Sequence, residues 1–116
     1  MHIAKYNIYP RANDVYNIYP LANDVLWGRG GHYSMSFELI GTKRFRRLVS
    51  ENKGHYMMSN SQKERREIVI NIINAIKNSS PYGRFLRFNK KLMQWEEIDN
   101  NKVMMMTIQT LREEYY

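Results

Sequence analysis

Four cations crowd into one short stretch, "KRFRR", as Lys43, Arg44, Arg46 and Arg47. Like charges at this density repel one another, and a phosphate backbone relieves that repulsion by trading its condensed counterions for fixed cations. On a helix over Thr42–Asn52 the four fall on the side opposite Phe45, Leu48 and Val49. Only Glu51 offers an acidic partner within that helix, one turn after Arg47. The plainer explanation stands beside this one: charged side chains belong on the surface, and a solvated face needs no partner. Two outlying arginines join the phosphate-contact candidates. Arg29 is flanked by glycines in "WGRGG", and Arg84 stands at the head of "GRFLRF". The candidate nucleic-acid-binding set is therefore Arg29, Lys43, Arg44, Arg46, Arg47 and Arg84.

Other chemistry is poorly supplied. His2, His32 and His55 are scattered with no i,i+4 pair, and cysteine is absent, so the ligands of a zinc site are lacking. Glu96, Glu97 and Asp99 stand close in sequence without a base to work with, and no serine sits in an elbow motif. The glycines of "WGRGG" match neither the phosphate-binding loop, with Lys-Ser/Thr after the second glycine, nor the dinucleotide fingerprint after a strand. They suit a tight turn that lets Trp27 pack. No catalysis, cofactor or metal is expected.

A chain of 116 residues makes one small domain. A hydrophobic share of 43% and a charged share of 25% are those of an ordinary globular chain. The net charge of +7 favours a polyanionic partner: nucleic acid, DNA ahead of RNA, or an acidic protein. No apolar stretch is long enough to cross a membrane, since the densest one, Ile68–Ile76, is broken by Asn71 and Asn74. With no disulfide framework and no secretory leader pattern, an intracellular place is expected, nuclear in preference to cytoplasmic. Oligomeric state has no signature.

The elements that must hold the cations follow from pattern. After the basic helix, Ser61 with Glu64 three residues on forms a capping box, and Ile68, Val69, Ile72, Ile73 and Ile76 form one apolar face. Asn78 to Pro81 stop that helix. "GRFLRF" and "MQWEEI", joined by a short polar link, predict a β-hairpin with Leu86 and Phe88 on one face, Phe85 and Arg87 on the other, and Trp95 in the core. A last helix starts at Asp99 or Asn100 and carries Met104, Ile108 and Leu111 on one stripe. Its run Met104, Met105, Met106 suits gap-filling in the core. The expected fold class is α+β: Gly-rich loop, helix, helix, hairpin, helix. A winged-helix scheme fits poorly, because the helix before the hairpin is too apolar to read DNA.

The chain begins by repeating itself: "YNIYPRANDV" at 6–15 is followed by "YNIYPLANDV" at 16–25, differing only at Arg11 and Leu21. Two ten-residue units are too few and too short for a repeat fold. Only the second runs into "LWGRGG", so residues 1–22 are expected to form a loose, duplicated arm and 23–116 the domain. Two hairpinned tyrosine-rich strands are the alternative.

"NDVLWGRGG", the basic "KRFRRLV", "YGRFLRF", "QWEEI" and "IQTLRE", in that order, resemble an uncharacterised domain family abundant in diatoms. The resemblance runs from Asn23 to about Glu113. Two departures stand out: "ELIGT" replaces an expected His-Pro-Gly-Asn step, and "MMTIQT" replaces a Lys-Thr-Ser-Gln-Ala run. The resemblance implies boundaries and order of elements, with no activity attached.

Overall fold

A computed structural model describes residues 18–27 and 39–113; the first decapeptide copy and Arg29 lie outside the described residues. In chain order the elements are β1 (Val25–Trp27), α1 (Ile40–Met58), α2 (Gln62–Lys77), β2 (Phe85–Asn89), β3 (Gln94–Glu97) and α3 (Asn100–Arg112). The fold is a small α+β domain with helix, helix, hairpin and helix in the expected order. The strands form one sheet in the order β1-β2-β3, with β1 parallel to β2 and β3 antiparallel to it.

Register decides which side chains meet. Val25 lies opposite Phe85, and Leu26 opposite Leu86. Side chains alternate across a strand, so Val25 and Phe85 share the face that the helices cover. There Phe45 of α1 meets Trp27 and Phe85 edge-on, with ring centroids 5.6 Å and 5.5 Å away. Val49, Ile72, Ile76, Val103 and Leu111 complete this core. Each such burial is worth about 1.5–3 kcal/mol against exposure. The other face of the sheet carries Leu26, Leu86, Phe88 and Trp95. Trp95 was expected in the core; it is instead half-buried at the sheet edge, where it packs edge-on against Phe88 at 5.3 Å. Ile18, of the second decapeptide copy, bridges to it in antiparallel sense.

Local chemistry explains the helix limits. The Ser61 hydroxyl accepts from the Glu64 backbone N–H at 3.2 Å, as the capping box requires. The Glu64 carboxylate reaches further back than expected and accepts from the Ser59 hydroxyl at 2.5 Å, which together with His55 lowers its pKa. Asp99, rather than Asn100, caps α3, accepting from the Lys102 N–H at 3.0 Å. The buried stripe of α3 is Val103, Thr107 and Leu111: Leu111 is buried as expected, but Val103 and Thr107 take the places expected for Met104 and Ile108, so Met104, Met106 and Ile108 are half-buried and Met105 faces outward. Helix α1 runs six residues past Asn52, through Gly54. Its last turns are held by buried Tyr56 and by Lys53, whose ammonium donates to the Thr110 carbonyl at 3.0 Å.

The hairpin turn carries a strained residue. Met93 has φ of 53°, in the left-handed region that favours glycine, and its side chain is 71% exposed. Losing that side chain costs little packing, so Met93→Gly should stabilise the domain by up to about 1 kcal/mol. The thermal midpoint should rise by roughly 4–8 °C; a fall on calorimetry would contradict this assignment of strain.

Candidate nucleic-acid interface

The site residues hang on a tightly built frame around Asn23 and Asp24. The Asp24 side chain is 2% exposed, and its carboxylate collects four donors. Oδ1 accepts from the Arg84 backbone N–H at 2.9 Å and from Arg84 Nε at 3.2 Å. Oδ2 accepts from Arg84 Nη2 at 2.7 Å and from the Leu21 N–H at 2.8 Å. A buried carboxylate needs this much compensation, because burial of an unpaired charge is prohibitive. Arg84 Nη2 also donates to the Tyr19 carbonyl at 3.0 Å. Hydrogen bonding to Asp24 raises the pKa of the guanidinium above its ordinary value.

Two glycines close on the same backbone. A Cβ at Gly41 would lie 2.2 Å from the Asn23 carbonyl oxygen and 2.4 Å from that of Asp24; one at Gly83 would lie 2.2 Å from the same Asn23 oxygen. The Gly41 N–H donates to the Ala22 carbonyl at 2.9 Å, and the Thr42 hydroxyl accepts from the Leu26 N–H at 3.0 Å. The first turn of α1, β1 and the start of β2 are thereby locked to one another. We call this arrangement the latch. It fixes the direction in which α1 leaves the sheet, and so which of its faces is presented to solvent.

That direction sorts the predicted cations. At about 100° of rotation per residue, Lys43, Arg46 and Arg47 share one arc of about 100°, and all three are exposed. Arg44 departs from the expected grouping: it lies about 60° beyond Arg47, on the flank near Leu48, and is half-buried. The expected Arg47–Glu51 pair is also absent, and among the described residues neither Lys43 nor Arg47 has an ion-pair partner. Arg84 is removed from the set by its own geometry, since its Nε and Nη2 are spent on Asp24 and Tyr19. Arg29 lies outside the described residues. The hairpin adds a paired cation, Arg87, whose Nε donates to Glu96 at 2.8 Å. The Asn89 amide and Arg87 together hold the Glu96 carboxyl below its ordinary pKa. Lys90 and Lys91 are exposed at the tip.

Sequence reasoning missed the latch itself. Its only local trace was that Asn-Asp-Val is the point where the repeated arm joins the domain. A Met run reads first as core, yet on the outer face of α3 Met105 is 68% exposed and lines a shallow depression with Ile108, Gln109, Arg112 and Glu113. Among the described residues, no three His, Asp or Glu side chains gather closely enough to hold a metal ion, and no helix is long and apolar enough to cross a membrane.

The molecule is thus of a definite class, a small α+β domain in which a buried Asp–Arg latch orients a helix with an exposed basic face. Residues 24–113 match the family described as a domain of unknown function (DUF6824), and the chain belongs to that family. The matched span begins on the latch carboxylate, Asp24. No curated protein and no solved structure matches the chain.

Proposed function

We propose that this domain is a nucleic-acid-binding module, for duplex DNA ahead of RNA, with a transcription-related role and a nuclear place in the cell. It binds without catalysis and without a cofactor. The observation that supports the reading is the exposed arc of α1, where Lys43 and Arg47 stand one helical turn apart with no carboxylate paired to either among the described residues. Arg46 lies on the same arc, and Arg44 borders it. A net charge of +7 gives the whole domain the sign that steers it toward a phosphate backbone. The contacts proposed for this arc are to phosphate, which position the protein and carry no sequence information.

The variant Lys43→Gln/Arg47→Gln tests this. Both side chains point away from Phe45 and Val49, so the thermal midpoint should stay within a degree or two. Each phosphate contact contributes about −0.9 to the slope of log affinity against log salt, so the double variant should flatten that slope by about 1.8. All DNA sequences should weaken alike. An unchanged slope would move the interface elsewhere on the domain.

A second reading, docking on an acidic protein, is favoured by the exposed apolar surface of Met105 beside Ile108 and Arg112. That partner would also be salt-sensitive, but its docking would leave DNA affinity absent at low salt.

A further inference from the structure

The rim of the latch carries aromatic surface that the basic arc does not use. Tyr19 and Tyr82 are 63% and 64% exposed, although a tyrosine ring gains most when it is covered. Both stand by one guanidinium. The Tyr19 carbonyl accepts from Arg84 Nη2 at 3.0 Å, and Tyr82 precedes Arg84 by two residues, within electrostatic reach of it. Among the described residues, neither tyrosine ring packs on another and neither hydroxyl is hydrogen-bonded. Leu21 and Ile40 are exposed large hydrophobics on the same rim. Single exposed apolar side chains are ordinary, but a group of them around one feature marks a binding surface.

This surface runs into the cations. Leu21 leads to Ala22, whose carbonyl accepts from the Gly41 N–H at 2.9 Å, so the rim abuts the first turn of α1. Ile40 and Lys43 are neighbours on that helix at i,i+3, and Arg47 follows one turn on. The step from Tyr19 to Ala22 spans at most about 11 Å of chain, which keeps the rings on the cation side of the domain.

The two ends differ in charge. Arg84 is neutralised by Asp24, so the rim has no net charge with which to attract phosphate. What it offers is flat: two phenol rings, and a guanidinium held in one orientation by its Nε and Nη2 bonds to Asp24. Nucleobases stack on such surfaces by their π-faces, which neighbouring base pairs cover in a duplex and which an unpaired base leaves free. We infer that, on the nucleic-acid reading above, Tyr19, Tyr82 and Arg84 form a stacking platform for unpaired bases, so that the domain holds single-stranded DNA by its bases as well as its backbone. Proline-rich peptides also dock on exposed aromatics, but they bring no negative charge for the adjoining arc.

The test compares the full chain with its Tyr19→Ala/Tyr82→Ala variant, by polarisation, against fluorescent oligo-dT and a blunt duplex. Both side chains are exposed, so the thermal midpoint should stay within about 4 °C. Loss of stacking should weaken oligo-dT binding by roughly tenfold or more. Duplex affinity and both salt slopes should not change, because no charge is removed. Tyr19→Phe/Tyr82→Phe keeps the rings and should bind oligo-dT as the parent does. An alanine variant within about twofold of the parent on oligo-dT, in a chain that does bind duplex, overturns this inference alone. So does equal weakening on both polymers. A chain that binds neither at ~50 mM salt overturns the nucleic-acid reading and this inference with it.

Discussion

Gly41→Ala and Gly54→Ala, the same change in the same helix, should move stability in opposite directions. At an ordinary helix position alanine is better than glycine by about 1 kcal/mol. Gly54 is such a position: nothing lies within 4 Å of a Cβ built there. Gly54→Ala should therefore raise the midpoint by roughly 4–8 °C. At Gly41 the added methyl would meet Asn23 and Asp24 backbone atoms at 2.2–2.4 Å. Those atoms are held by the Gly41–Ala22 and Leu26–Thr42 hydrogen bonds and by Gly83 behind them, so they cannot yield singly. Overpacking against rigid backbone costs about 1–3 kcal/mol or more, enough to outweigh the propensity gain. A lowered midpoint is expected, by up to roughly 16 °C for a net cost of ~2 kcal/mol. Two stabilising alanines in a calorimetric comparison would show that the latch is not tight.

The second large effect belongs to Asp24. Truncation to alanine leaves Arg84 Nε, Arg84 Nη2 and the backbone N–H groups of Leu21 and Arg84 facing one vacated seat. Breaking a buried pair by removing one partner costs about 3–5 kcal/mol. Arg84 keeps 21% side-chain exposure and can recover some hydration, so the lower end of that range applies. Asp24→Asn, though isosteric, should cost nearly as much. Each carboxylate oxygen accepts from two donors, so an amide NH2 in either position meets N–H groups head-on. Asp24→Ala combined with Arg84→Ala should cost less than the sum of the single changes, as a coupled pair requires. Urea midpoints for the four proteins give the cycle. Additive single effects, or an Asp24→Asn protein within 0.5 kcal/mol of the parent, would contradict the latch.

Much of the fold was legible because its signals are local. The Ser61–Glu64 spacing and five apolar residues at helical period are enough to place α2, and two aromatic runs about a short polar link are enough to place β2 and β3. β1 was not legible. Three residues carry no periodicity, and Val25–Trp27 is a strand only because β2 lies beside it in parallel register. Asp24 and Arg84 stand 60 residues apart, so nothing near either names the other. An arginine beside glycine then looks like an outward-reaching cation when it is the mate of a buried carboxylate. The "ELIGT" stretch, a departure from the expected family pattern, keeps a glycine at Gly41, and the 2.2 Å approach to Asn23 gives the physical reason.

The basic helix was legible in composition and only partly in geometry. Placing four cations on one face overlooks that Arg44 points toward the flank once the core side of α1 is set by Phe45, Val49 and Tyr56. Leaving Glu51 unpaired with Arg47 is also a tertiary outcome, since an exposed i,i+4 pair gains only a few tenths of a kcal/mol and is easily forgone.

One titration bears most directly on the proposed function: the intact chain against a fluorescent duplex DNA, by polarisation, at ~50 mM and ~200 mM salt. Lys43, Arg46 and Arg47 on one arc predict measurable binding at the lower salt and a log–log slope of about −2.7, steepened toward −3.6 if Arg44 swings out to join them. Single-stranded DNA and RNA in the same series rank the polyanions. An intact, folded chain that binds none of the three at ~50 mM salt, where non-specific phosphate contacts are strongest, would contradict the nucleic-acid reading outright.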